Sequence, residues 1–186
     1  MQFSTGRPDS VRAINQRWLL KFWKNHLGMN RIPRWQAVKT DELIRISSSL
    51  SFLDVNGDGA SARFQIRYYG DLIAKAYGLS DFRGKFLDEI VSEHRRAAAL
   101  APYQQALACG CPIYTIHDLT DRNGRLVHFE RLLLPFSSDG GVIERILTSY
   151  EFVAPDGAYE CDSLLVAQEG PSELKVSIII EPQTLV

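Results

Sequence analysis

An Asn-Gly hairpin turn between two long strand patterns restricts the fold more than any other feature of the sequence. Ile113 to Asp121 and Leu126 to Leu134 flank Arg122-Asn123-Gly124-Arg125, and a third long strand pattern, Val142 to Val153, follows Asp139-Gly140-Gly141. Asn-Gly between alternating segments favours a two-residue turn, because both residues tolerate the positive φ angles that this turn needs. The second half of the chain is therefore predicted to contain three consecutive antiparallel strands.

Two shorter strands and a helical block precede that region. Leu50 to Val55 and Arg63 to Tyr69 have strand patterns on either side of the turn Asn56-Gly57-Asp58-Gly59. The helical block is predicted to contain short helices over 72–77 and 86–90 and a longer helix over 93–109, in which Pro102 either produces a kink or begins the second half. Strands separated by a helical block indicate an α+β domain instead of a parallel α/β sheet.

The chain divides into an amino-terminal segment 1–46, a central domain 47–153 and a carboxyl-terminal extension 154–186. The extension contains one apolar run, Leu174 to Ile180, that predicts a further strand. An apolar strand leaves backbone groups unpaired unless it is covered, so we expect it to join a sheet edge in its own or a neighbouring chain.

The amino-terminal segment is predicted to be a basic amphipathic helix followed by a connector. Pro8-Asp9-Ser10 is a helix-start signal, and the helical pattern runs to Leu27. Residues 1–40 hold eight Lys and Arg against one Asp, whereas the remainder holds 13 basic and 21 acidic residues. Apolar side chains cover about two-thirds of the helix circumference, so the helix should touch two surfaces. The candidate interaction residues are Trp18, Leu19, Phe22 and Trp23.

Several partners are compatible with such a helix. Its own domain, a second copy in a homodimer and a signalling protein partner are the favoured ones, and an anionic membrane surface is a weaker alternative. The net charge of −1 argues against nucleic acid. No stretch approaches the roughly 18 consecutive apolar residues of a membrane span, and the first residues do not resemble a signal peptide. We therefore expect a cytoplasmic protein.

The cysteines indicate neither a disulfide framework nor a metal site. Their number is odd (Cys109, Cys111 and Cys161), and Cys109-Gly110-Cys111 is too tight for the usual zinc spacing. We expect reduced, unreactive thiols, since a helix carboxyl terminus disfavours a thiolate. No motif for catalysis or phosphate binding is present, so no catalytic residue, metal or cofactor is predicted.

The order of elements resembles a PAS domain. The stretch Tyr68-Tyr69-Gly70-Asp71-Leu72-Ile73-Ala74-Lys75-Ala76-Tyr77-Gly78, followed by Gly84-Lys85-Phe86-Leu87-Asp88-Glu89-Ile90, is similar to the second strand, short helix and turn of that fold. Arg17 to Trp23, Ser49 to Val55 and His128 to Pro135 also resemble a family of short, stand-alone PAS-like proteins of bacteria, mainly alphaproteobacteria.

The resemblance implies a five-stranded antiparallel sheet with helices on one face, to which this chain adds its amino-terminal helix and its extension. It also implies a sensory or regulatory module, often a homodimer, that signals through protein contacts or a small ligand. It implies no reaction.

If the chain binds a ligand, the site is expected on the concave side of the sheet under the short helices, although a filled core is the favoured interpretation. The candidate lining residues are Phe64, Ile66, Tyr68, Ile73, Tyr77, Phe86, Tyr114, Phe129 and Leu133.

A cavity enzyme or carrier on a cone-shaped α+β fold is the competing hypothesis. With a two-residue turn, His117 lies opposite Glu130, and His128 lies diagonally on the same face. Such a pair facing a cavity could act as acid and base, whereas a pair facing solvent would be an ordinary polar contact, which we favour.

Three further sites are weaker. His94 lies where some haem-binding PAS proteins supply a ligand, but a solvent-exposed role is favoured. The flavin-binding Asn-Cys-Arg-Phe motif of photosensing PAS domains is absent. Asp54 to Gly59 is similar to half of a calcium loop, but Gln65 stands at the position of the bidentate Glu, so a plain turn is favoured.

Overall fold

The computed structural model describes residues 1–121, 123–157, 159–160, 164–165 and 172–182, so Cys161 lies outside the described residues. The helices are α1 (Ile14–Asn25), α2 (Asp71–Ala76), α3 (Leu87–Ile90) and α4 (Glu93–Cys109). The strands are β1 (Ser4–Gly6), β2 (Leu50–Asn56), β3 (Arg63–Tyr69), β4 (Ile113–Thr120), β5 (Leu126–Ser137), β6 (Ile143–Val153) and β7 (Glu173–Ile180). None of the described helices is long and apolar enough to cross a membrane.

All seven strands form one sheet in the order β1-β7-β4-β5-β6-β2-β3. Neighbouring strands are antiparallel except for β1 and β7, which are parallel. The α+β class is confirmed, with β2 to β6 as the five expected strands, but the total of five is wrong. The carboxyl-terminal strand β7 pairs with β4, as expected for an apolar strand at a sheet edge, and β1 extends the sheet beyond it. Strand β7 thus pairs the edge of β4 that would otherwise be open, and β1 in turn pairs with part of β7.

Helices cover both faces of the sheet. The apolar cluster on one face joins α1 to Leu132 and Leu134 of β5. On the other face Leu133 of β5 packs with Tyr103 and Ala106 of α4. The helices α2, α3 and α4 thus share one face, as predicted, and the amino-terminal helix covers the opposite one.

The apolar side of α1 is buried on its own sheet. Leu19, Phe22 and Trp23 are buried, and Trp18 is half-buried. The Trp23 indole Nε1 donates a hydrogen bond of 2.6 Å to the carbonyl oxygen of Pro135. Of the predicted interaction residues, only Trp18 therefore remains partly accessible to another molecule, and the wide apolar arc is not free for a membrane surface.

A polar layer lies under the same helix. Gln16 Nε2 donates to the carbonyl oxygens of Glu130 (3.4 Å) and Ser149 (3.3 Å). The Tyr114 hydroxyl donates to the Glu130 carboxylate at 2.5 Å and accepts from the Arg12 backbone N–H at 3.3 Å. These directional contacts fix the position of α1 along β5 and β6.

The β4–β5 hairpin has a longer turn than predicted. The last paired residues are Thr120 and Leu126, so the connection spans 121–125. The Asp121 carboxylate accepts hydrogen bonds from the backbone N–H groups of Asn123 (2.8 Å) and Arg125 (2.9 Å), which stabilises this wider turn. The predicted two-residue turn is therefore wrong, and the pairing of β4 with β5 differs by one residue from the predicted pairing. A shift of one residue moves each side chain of a strand to the opposite face of the sheet.

We expect the substitution Gly70→Ala to destabilise the protein strongly. A Cβ atom at Gly70 would overlap the backbone of Ser47 and Ser48, so the chain between β3 and α2 would have to move. Overpacking of this kind typically costs about 1–3 kcal/mol in the free energy of unfolding. Urea unfolding measures the loss, with Gly141→Ala as the control, because a Cβ there makes only ordinary contact with the Asp139 carboxylate, at 3.5 Å. Equal stability of the two variants would contradict the close packing at Gly70.

Candidate ligand cavity

A cavity of about 90 Å³ lies between the concave face of the sheet and the helices α3 and α4. Strands β4, β5 and β6 form its floor. Its polar lining residues are Tyr77, Arg95, Tyr103, His117, Arg131, Tyr150 and Ser172, and its apolar ones are Leu87, Ile90, Val91, Ala98, Ala99, Leu119, Phe129 and Leu165. The mixture of apolar walls and converging polar groups is typical of small-molecule sites.

The predicted lining residues divide into three groups. Tyr77 and Phe129 line the cavity, while Ile66 and Ile73 line an adjoining void of about 20 Å³. Phe64 and Leu133 lie on the same side of the sheet in the filled core.

The other three predicted residues, Tyr68, Tyr114 and Phe86, lie outside the cavity, so the prediction that they line it is wrong. Tyr68 packs against Phe52 on the α1 face, because a bulge in β3 interrupts the alternation after Ile66. Tyr114 lies under α1, because the hairpin register differs by one residue. The Phe86 ring is covered by the Arg63 guanidinium, 3.7 Å from the ring centroid, outside the cavity.

Arg131 is the residue that the sequence reasoning missed. The alternation of Phe129, Arg131 and Leu133 along β5 already assigns it to the cavity face. The residue is only 6% exposed. The guanidinium donates from Nε to Thr115 Oγ1 (3.3 Å) and from Nη1 to the Ala99 carbonyl oxygen (3.4 Å). Within the described part of the chain, no carboxylate forms an ion pair with it.

His117 lies beside this cation. The residue is only 5% exposed, and its Nδ1 atom has no hydrogen-bond partner among the described residues. Burial lowers the pKa of His117 to about 3, and the positive charge of Arg131 contributes to the shift. The imidazole is therefore neutral near pH 7 and can donate or accept one hydrogen bond in the cavity.

A chain of hydroxyl groups closes the other side of the cavity. Tyr150 contacts the hydroxyls of Tyr103 (3.1 Å) and Ser51 (3.0 Å), and Thr148 donates to Tyr103 at 3.4 Å. Burial raises the pKa of Tyr103, and burial raises that of Tyr77 to about 12. These phenols are thus neutral hydrogen-bonding groups and supply no negative charge.

The proposed His/Glu acid-base pair does not form. The observed register places His117 opposite Phe129 and Glu130 opposite Ile116. His117 faces the cavity, whereas Glu130 lies under α1 on the opposite face of the sheet. The arrangement expected for a cavity enzyme or carrier is therefore wrong, and His128 instead pairs with Asp118 at 2.6 Å.

The structure also shows where the weaker candidate sites lie. His94 is exposed at the start of α4 and does not line the cavity. The Asp54 carboxylate forms ion pairs with Arg67 and Arg145, so it serves a cross-strand contact. Cys109 and Cys111 are free thiols, and a hydrogen bond from the Cys111 thiol lowers the pKa of Cys109. Among the described residues, no three His, Cys, Asp or Glu side chains are grouped so that they could hold a metal ion.

Residues 43–152 match the family model described as the PAS fold. Among solved structures, an RNA-binding light-oxygen-voltage receptor is similar over 79% of this chain, with 14% sequence identity and a TM-score of 0.42. The match covers 56% of that receptor chain, so this chain spans little more than half of it. None of the curated proteins matches the sequence.

We expect His117 to remain neutral between about pH 5 and pH 8 when its imidazole signals are followed by NMR. Its pKa falls from 6.5 to about 3 on folding, so the unfolded chain binds the proton more tightly. Its contribution to stability is therefore complete above pH 6.5 and is lost as the pH falls towards about 3. The variant His117→Phe should weaken this acid dependence in urea unfolding, whereas the exposed control His94→Gln should not. A His117 titration near the ordinary value would contradict its burial.

Proposed function

The chain belongs to the PAS fold family, and we propose that it is a non-catalytic sensory and regulatory module that holds a small metabolite and acts through protein contacts. The family match covers β2 to β6 and all three helices on the cavity face. Its likeness to short bacterial PAS-like proteins supports a role in the bacterial cytoplasm, and its net charge of −1 does not favour nucleic acid as a partner.

The cavity beneath α4 is the observation that carries this proposal. Native cores are closely packed and rarely leave a void larger than a water molecule. Here three strands and three helical segments surround about 90 Å³ without filling it, and buried polar groups converge on that space. A core selected only for stability would have larger apolar side chains at these positions.

A second copy of the chain is the partner that we propose for the outer side of α1. Ile14 is 76% exposed, and Ile44 on the neighbouring 3-10 segment Thr40–Ser49 is 66% exposed. Trp18, which is partly accessible, lies under the Arg45 guanidinium, 4.2 Å from the ring centroid. The basic amino-terminal segment and the acidic remainder of the chain also favour association of two copies by charge.

Filling the cavity should abolish ligand retention. Ala99 lines the cavity and Ala97 lies on the exposed side of the same helix, so Ala99→Leu and Ala97→Leu form a matched pair. In native mass spectrometry and thermal-shift screening of metabolites, wild type and Ala97→Leu should bind the same compounds, and Ala99→Leu should bind none. Unchanged binding by Ala99→Leu, or the absence of any binding compound, would contradict the proposed sensory cavity.

The dimer should depend on the outer side of α1. We expect light scattering after size-exclusion chromatography to give the mass of two chains, and Ile14→Glu to give that of one, because a carboxylate would be buried in the contact. Val142→Glu is the control, since Val142 is 68% exposed in the turn before β6. A dimer that survives Ile14→Glu would place the contact elsewhere, and a monomeric wild type would refute self-association.

A further inference from the structure

We propose that the ligand of this cavity is a short-chain aliphatic monocarboxylate whose charge pairs with Arg131. This inference deepens the proposed function and depends on the cavity being a ligand site. It follows from a buried cation that the described residues do not neutralise, from the absence of acidic groups in the described cavity wall, and from the shape of the space.

The first argument is the cost of burying Arg131. A buried charge is strongly unfavourable unless it is paired and fully hydrogen-bonded, and breaking such a pair leaves an uncompensated ion. Arg131 has only two long hydrogen bonds, to Thr115 and to the carbonyl oxygen of Ala99. The Phe129 ring, 5.4 Å from the guanidinium carbon, adds a cation-π contact that is too weak to replace an anion. The guanidinium Nη2 group has no hydrogen bond to a described residue and is free to donate.

The second argument is the charge of the remaining wall. The titratable side chains that line the cavity beside Arg131 are Arg95, His117 and three tyrosines, and no Asp or Glu is among the described lining residues. Arg95 donates to Ser92 Oγ and to the Leu165 carbonyl oxygen, so it too lacks a carboxylate partner in the described chain. The wall is therefore positive on one side and neutral on the other, which favours an anion.

The third argument concerns the type of anion. Arg131 presents the planar guanidinium that matches a carboxylate in two parallel hydrogen bonds, and the neutral His117 lies within its field as a further donor. Of the two cations in the wall only Arg131 is buried, whereas Arg95 is half-buried and already donates to Ser92 and Leu165. The desolvated charge to be balanced is therefore a single one, and a phosphate dianion would leave an excess. The apolar wall of Leu87, Ile90 and Val91 can receive an aliphatic chain.

The volume limits the length of that chain. A cavity of about 150 Å³ in another protein accommodates benzene, and this one has about 90 Å³. A carboxylate with a two- or three-carbon tail, such as propionate or butyrate, has about five or six non-hydrogen atoms and matches the smaller space.

The test compares each acid with its neutral isostere. Propionate and butyrate, their amides propionamide and butyramide, and inorganic phosphate are titrated into the full-length protein near neutral pH by calorimetry and thermal shift. We expect the two carboxylates to bind and to raise the melting temperature, and the amides and phosphate to bind at least roughly tenfold more weakly, because they lose the charge-assisted pair or leave charge in excess.

Two matched variants separate recognition from structure. Arg131→Met removes the charge at similar length, and Arg96→Met removes an exposed cation from the same cavity-side helix α4. We expect Arg131→Met to lose carboxylate binding by at least roughly tenfold while its melting temperature without ligand stays equal or rises, since an unpaired buried charge is gone. Arg96→Met should behave as wild type. A purely structural Arg131 would instead give a less stable variant that still binds.

The outcomes separate the inference that the ligand is a carboxylate from the proposal that the cavity binds a ligand at all. If the amides bind as tightly as the acids and Ala99→Leu abolishes that binding, the inference that the ligand is an anion is wrong. The proposal that the cavity binds a ligand would then still stand. Phosphate that binds more tightly than the acids would also overturn the inference that the ligand is a carboxylate. Failure of all these probes, together with no retained mass in native mass spectrometry, would refute the cavity as a ligand site. If Arg131→Met does not fold, the comparison of acid and amide on the wild-type protein still tests whether binding requires the negative charge of the ligand.

Discussion

Strand β5 is buried on both faces, and both helical layers are held in place by it. Its residues 132–134 are fully buried, with alternate side chains packing under α1 and under α4. Burying one leucine side chain contributes about 1.5–3 kcal/mol, so three in succession supply an amount comparable to the whole stability of a small domain. The pairing of β5 with β4 and β6 therefore decides which side chains reach the cavity and which reach the amino-terminal helix.

The two faces of β5 carry opposite charges one residue apart. Arg131 points to the cavity and Glu130 lies under α1, so the sheet separates them. Glu130 stands beside Glu151 in the register, and burial together with the charge of Glu130 raises the pKa of Glu151. The carbonyl oxygen of Glu130 also accepts from Gln16, which seats α1. A ligand that moved Arg131 would therefore also move Glu130 and its contact with α1, because a single peptide unit joins the two residues.

The sequence predicts most of the helices and strands, but it does not predict β1, the 3-10 segment Thr40–Ser49 or the strand registers. The bounds of β3 and α4 agree with the sequence patterns, and Pro102 lies inside α4. The turn after β4 was misjudged because the Asp121 side chain captures two backbone N–H groups and stabilises a wider connection than Asn-Gly alone suggests. That one-residue error put Tyr114 in the cavity and paired His117 with Glu130. Arg131 was overlooked for a different reason: a lone arginine in an apolar strand is usually assigned to solvent, and only the burial of both faces of β5 shows that no solvent face exists.

The double burial of β5 restricts how this sequence can diverge. A strand with one solvent face tolerates substitutions on that face and can absorb the loss of a residue at its end. Over 129–137 every position of β5 is buried, so a single deletion within the strand would turn the Arg131 cation under α1 and the Glu130 carboxylate into the cavity. We therefore expect insertions and deletions in relatives of this chain to concentrate in the connections 121–125 and 138–142, while β5 keeps its length and its alternation of charge.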